Sequence, residues 1–73
     1  MTSLDIRGIC ISGGNVVVSA NNFSSLDLKG IALIAKAHGV RVTIKNASKL
    51  TPLTCKGIAL AGGIGTVTFD FSE

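Results

Sequence analysis

The chain has neither Trp nor Tyr and only three Phe among 73 residues. An aromatic-lined pocket, or a surface on which bases stack, therefore has almost nothing to be built from. One His and two Cys, Cys10 and Cys55, leave no set with the spacing of zinc ligands. The four acids, Asp5, Asp27, Asp70 and Glu73, offer no carboxylate pair at a defined spacing, and His38 has neither a nucleophile nor an orienting partner in the pattern. These shortages argue against an enzyme, a resident metal and a cofactor. No apolar run approaches the roughly eighteen residues of a membrane span. The first ten residues carry Asp5 and Arg7 instead of a charged start followed by an apolar stretch. The expectation is a soluble, cytoplasmic protein.

What the chain has in quantity is apolar residues, 47%, and nine Gly. That composition suits a packed domain, but one this short buries only about 60% of the surface its unfolded chain exposes. Added burial through self-association is thus an expectation from length alone. The net charge of +3 comes from seven cations spread along the chain, which permits an acidic partner without demanding one.

The chain repeats itself. Ala20 to Leu33 aligned with Ala47 to Leu60, an offset of 27, gives identities at Ala20/Ala47, Leu26/Leu53, Lys29/Lys56, Gly30/Gly57, Ile31/Ile58, Ala32/Ala59 and Leu33/Leu60. A third copy lies at the start, where Leu4 to Ile11 matches Leu26 to Leu33 at an offset of 22. Each copy opens on a helix-start hydroxyl, Thr2, Ser24 or Thr51, with Asp5, Asp27 or Thr54 three residues on; Pro52 takes the first helical position of the last copy. The pattern predicts helices over 3–11, 25–38 and 52–61, closed by Gly13-Gly14, Gly39 and Gly62-Gly63.

A period of two follows each helix. Val40, Val42 and Ile44 alternate with polar residues, as do Val67, Phe69 and Phe71, and at the offset of 27 the two runs superpose; the first strand falls over 15–20. One apolar and one polar strand face imply helices on one side of the sheet only. The predicted fold is α/β: a right-handed β/α solenoid of three repeats, about 2–20, 24–46 and 51–71, in the order αβαβαβ with a parallel three-stranded sheet, forming a single domain over 1–73.

The 27-residue period, the run Val16-Val17-Val18-Ser19-Ala20-Asn21-Asn22-Phe23 and the helix with Gly30-Ile31-Ala32-Leu33 and Ala35 resemble leucine-rich repeats of the ribonuclease-inhibitor type. That likeness implies a solenoid architecture and protein binding. Val16 to Ser48 is also similar to the strand–helix–strand of anti-sigma-factor antagonist domains of the STAS type. There a phosphorylatable Ser stands at the helix start, where Ser24 and Ser25 stand here.

Ala61-Gly62-Gly63-Ile64-Gly65 leaves a helix and enters a strand, the reverse of a phosphate-binding loop, so it is read as a helix stop. Cys10 and Cys55 align with apolar residues of the other copies and are read as buried thiols. Helices one and three, nearly twice about 10 Å apart, stand too far apart for a disulfide, which needs Cα atoms within about 7 Å. Arg7, Lys29 and Lys56 share one repeat position, with Lys36 near Lys29 in helical phase, forming a ridge suited to phosphates or an acidic protein surface. Arg41, Lys45 and Lys49 would lie toward the uncovered side of the sheet. This division of charge, with no interleaved aromatics, argues against nucleic acid.

Neither end of the predicted stack carries a polar cap. Leu4, Ile9 and Ile11 at one end, and Val67, Phe69 and Phe71 at the other, are the candidate self-association residues. The functional expectation is a non-enzymatic interaction module whose partner is itself, as a homo-oligomer with a head-to-tail arrangement among the options, or another protein. The competing expectation is a small regulatory, STAS-like or anion-binding domain that engages an acidic partner, phosphate or kinase through the ridge of Arg7, Lys29, Lys36 and Lys56 or through Ser24 and Ser25.

Overall fold

The computed structural model describes residues 1–72. Three helices, α1 (Ser3–Ile11), α2 (Ser25–His38) and α3 (Pro52–Gly62), alternate with strands β1 (Val16–Ser19), β2 (Val42–Lys45) and β3 (Val67–Phe69). The strands form one parallel sheet in the order β1-β2-β3, so each helix–strand step places its strand beside the preceding one.

Each helix begins where a hydroxyl satisfies an early amide. Thr2 accepts from the Asp5 N–H and Asp5 accepts in return from the Thr2 N–H, which closes a capping box. Ser24 accepts from Asp27 N–H and Thr51 from Thr54 N–H, both at 3.2 Å. At the other end of α2, Gly39 takes the left-handed conformation, φ 68°, and its N–H returns to Ala35 and Lys36. A short 3₁₀ turn, Ala47–Lys49, which the sequence pattern did not indicate, leads from β2 toward α3.

Strand alternation sets the layering. Val16, Val18, Val42 and Ile44 are buried in one cluster with Ile6, Cys10, Leu28, Ile31, Ala35 and Ile58 from the three helices. On the opposite face Val17 and Thr68 are exposed and Thr43 half-buried. The apolar strand face thus lies under the helices while the polar one stays open. Leu28, Ile31, Ile44 and Ile58 are the largest fully buried side chains and form the centre of the core.

Two expectations need correction. The strands are shorter than the runs 15–20 and 66–71, and β2 starts at Val42, leaving Val40 as a buried residue ahead of the strand. The second correction concerns register. An offset of 27 would pair Val42 with Phe69 and Ile44 with Phe71, but the observed partners are Val42↔Val67 and Ile44↔Phe69, an offset of 25. The cause is the glycine pair: α3 has 11 residues against 14 in α2. The connection that follows, 63–66, is one residue longer than 39–41. Three residues lost and one gained displace the strand by two, and an even displacement keeps the same side chains on the core face.

Candidate interaction surface

The helical layer is built by an alternation of long cations and glycines. A Cβ at Gly30 on α2 would stand 2.5 Å from Nη2 of Arg7, and one at Gly57 on α3 would stand 3.1 Å from Cε of Lys29. Arg7 therefore lies across the bare backbone of α2, and Lys29 does the same one helix further on. Lys36 continues this pattern, its Cε 3.4 Å from a Cβ at Gly63. The atoms that meet Gly30 and Gly57 are the ends of these side chains, the guanidinium of Arg7 and Cε and Nζ of Lys29, laid in the furrows between helices. The Arg7 Nε is buried without a hydrogen-bond partner, so part of the guanidinium itself is covered where it lies over Gly30.

At the two ends the alternation is open. A Cβ at Gly8 on α1 would meet no neighbouring group within 4 Å among the described residues. Lys56, the counterpart of Arg7 and Lys29, is exposed on the free flank of α3. There it lines an open groove of about 530 Å³ with Ala59, Leu60, Gly63 and Ile64. Beside Gly8, Ile9 is 36% exposed, whereas its counterparts Ile31 and Ile58 are wholly buried. The strands end openly as well: β1 and β3 are edge strands with one side unpaired.

The proposed self-association residues are distributed unevenly. Leu4, Ile9, Ile11 and Phe71 are exposed. Val67 and Phe69 are only half-buried and pack against the core cluster, so they contribute an edge and not a free face. Phe71, placed in the third strand by its periodicity, lies beyond β3, where its ring stacks on Phe69 at 6.3 Å. Of the four cations singled out, Lys29, Lys36 and Lys56 are exposed and Arg7 is half-buried.

Among the exposed apolar residues outside that selection are four on the helices: Leu26, Leu33, Leu53 and Leu60. Leu26 and Leu33 lie seven residues apart, two helical turns, as do Leu53 and Leu60, and Leu4 and Ile11 repeat the spacing on α1. The signal was available in the identities Leu26/Leu53 and Leu33/Leu60. Helical phase puts these residues opposite the buried Leu28, Ile31 and Ala35, on the outside of the layer.

Cys10 and Cys55 are free thiols. Cys10 is buried, which pushes its thiol up from the ordinary value, but Cys55 is only half-buried, contrary to the reading of both as core residues. Ser24 is occupied as the cap of α2 and Ser25 opens that helix exposed. The backbone N–H and side chain of Thr2 hold Asp5 below the usual carboxylate range, and the hydroxyl and N–H of Ser72 do so for Asp70. Among the described residues no group of three His, Cys, Asp or Glu could hold a metal, and no helix is long and apolar enough to cross a membrane. Comparison with protein-family models, curated proteins and solved structures finds no match for this chain.

Proposed function

We propose that this chain is a non-enzymatic β/α solenoid module that assembles with copies of itself end to end. The observation that carries the reading is the half-made contact at each end. Arg7 covers Gly30 and Lys29 covers Gly57, while Lys56 stands over an open groove and Gly8 is left bare. Stacking α3 of one copy against α1 of the next lets Lys56 lie across Gly8 and buries Ile9 as Ile31 and Ile58 are already buried. It also brings the free edge of β3 beside the free edge of β1 in the parallel sense used throughout the sheet. Such a contact joins two different surfaces and propagates instead of closing on itself.

Size-exclusion chromatography with light scattering tests this directly. The expected result is a mass that grows with concentration and falls for Ile9→Asp, a substitution at a position already partly in water. A monomer across the accessible concentration range overturns the reading.

A further inference from the structure

We propose that the outer face of the helical layer is a docking surface for an anionic lipid bilayer. Two rows of aliphatic side chains cross the three helices there: Leu4, Leu26 and Leu53 in one, Ile11, Leu33 and Leu60 in the other, between 54% and 81% exposed. Seven residues rise about 10.5 Å along a helix, and neighbouring helices lie about 10 Å apart, so the rows outline a plate of roughly 20 by 10 Å. Arg7, Lys29 and Lys56 fall between the rows, three residues past the first, and Lys36 lies three residues past the second. Arg7 fills the furrow between α1 and α2, Lys29 and Lys36 that between α2 and α3, and Lys56 the free flank of α3.

The pairing of charge with apolar surface selects the occupant. The acids nearest this face are engaged at helix starts, Asp5 in the capping box with Thr2 and Asp27 as acceptor from the Ser3 hydroxyl at 3.4 Å. The cations thus outnumber the acids near this face, which favours an anionic partner. A second copy laid face to face would set cations against cations, which excludes a symmetric pair through this surface. An acidic protein would need anions and apolar residues matched to both furrows at once. A bilayer with anionic headgroups meets both demands without a matched shape: aliphatic ridges enter the headgroup–acyl boundary while laterally mobile phosphates settle in the furrows. The surface shares Lys56 and Leu60 with the free flank of α3 used for stacking, but its other residues lie outside that end, and a single copy presents all of it.

Co-sedimentation with vesicles of phosphatidylserine and phosphatidylcholine, at a protein concentration where light scattering reports monomer, tests the proposal. Binding is expected to anionic vesicles, to weaken with added salt, and to be about tenfold lower or worse for Lys29→Glu/Lys36→Glu. Leu26→Gln/Leu53→Gln, at two well-exposed positions with no part in the core, is expected to fold by far-UV circular dichroism and lose binding. The proposal is overturned by failure to sediment with anionic vesicles, by equal binding to pure phosphatidylcholine, or by undiminished binding of the leucine variant. Retention on immobilised polyglutamate without vesicle binding also overturns it and assigns the face to an acidic protein. Because stacking is absent at the concentration used, loss of the end-to-end reading leaves this result intact, and the converse holds.

Discussion

Replacing glycines one at a time by alanine separates the proposed roles of the helical layer, because the structure gives opposite signs at neighbouring sites. Gly8 lies inside α1, exposed, and its new Cβ would touch nothing within 4 Å among the described residues. Gly8→Ala thus gains the helix propensity difference, about 0.5–1 kcal/mol, at no steric cost. For a domain of this size that raises Tm by roughly 2–8 °C. At Gly30 the same gain is offset by displacing the Arg7 guanidinium, 2.5 Å from the new atom, although the far end of a flexible side chain can swing aside. Gly62 is the reverse case. Its Cβ would stand 2.6 Å from Cγ2 of Val67 and 3.5 Å from Cβ of Ala32, inside packed structure. Overpacking of that kind costs about 1–3 kcal/mol and outweighs the propensity gain. Thermal unfolding followed by circular dichroism at low concentration should therefore rank Gly8→Ala above Gly30→Ala, and both above Gly62→Ala, which lies below the parent. If Gly8 also receives Lys56 of the next copy, Gly8→Leu stabilises the monomer while reducing assembly mass in light scattering. A lower Tm for Gly8→Ala or a higher one for Gly62→Ala would refute the packing argument; unchanged assembly of Gly8→Leu would refute the stacking contact.

Further consequences are open to measurement. Cys55, half-buried, should react with a maleimide faster than Cys10, whose burial and raised thiol pKa confine reaction to opened molecules; mass spectrometry of the partly labelled protein reads the order. Asp5 and Asp70 are both held below the ordinary carboxylate value by hydrogen bonds to the ionised form, so their contribution is complete above about pH 4 and is lost as pH falls through the lowered values. Acid unfolding of Asp5→Asn should accordingly be less steep than that of the parent. Removing the α2 cap in Ser24→Ala should cost about 0.5–2 kcal/mol by urea titration. Truncating the fully buried Ile58 to Ala should cost about 2–5 kcal/mol, enough to leave much of so small a domain unfolded.

The helices were legible in the sequence because their ends are chemical events. Thr2, Ser24 and Thr51 each cap the helix they were expected to cap, and Gly39 closes α2. Strand order and parallel sense followed from the alternation of elements with short connections. Register was not legible, since it depends on where α3 stops, and the glycines at 62 and 63 stop it three residues short of the length in α2, a difference an alignment anchored on the helices carries forward unseen. The outer leucines were missed for another reason. Leu26 and Leu53 sit inside the repeat identities, but two positions seven apart share a helical face whichever way that face points. Only the burial of Leu28, Ile31 and Ala35 on the opposite side fixes Leu26 and Leu33 outward.

Lys56 is asked to serve both proposed surfaces, and its two parts can be tested apart. In the contact already formed inside the chain, Lys29 meets the position above Gly57 with Cε at 3.1 Å and Nζ at 3.3 Å, so the end of the stem packs as closely as the charge. If Lys56 repeats that contact on Gly8 of a neighbouring copy, Lys56→Met keeps a stem of similar reach and should retain assembly, whereas Lys56→Ala removes the stem and should lose it. On an anionic bilayer the charge itself matters, at about 1 kcal/mol for each cation near the surface, roughly a fivefold change in affinity. Lys56→Met and Lys56→Ala should therefore weaken vesicle binding alike and differ only in assembly. Equal assembly of the two variants would mean that the end contact does not use the stem, and unequal vesicle binding would mean that the bilayer reads more of this side chain than its charge.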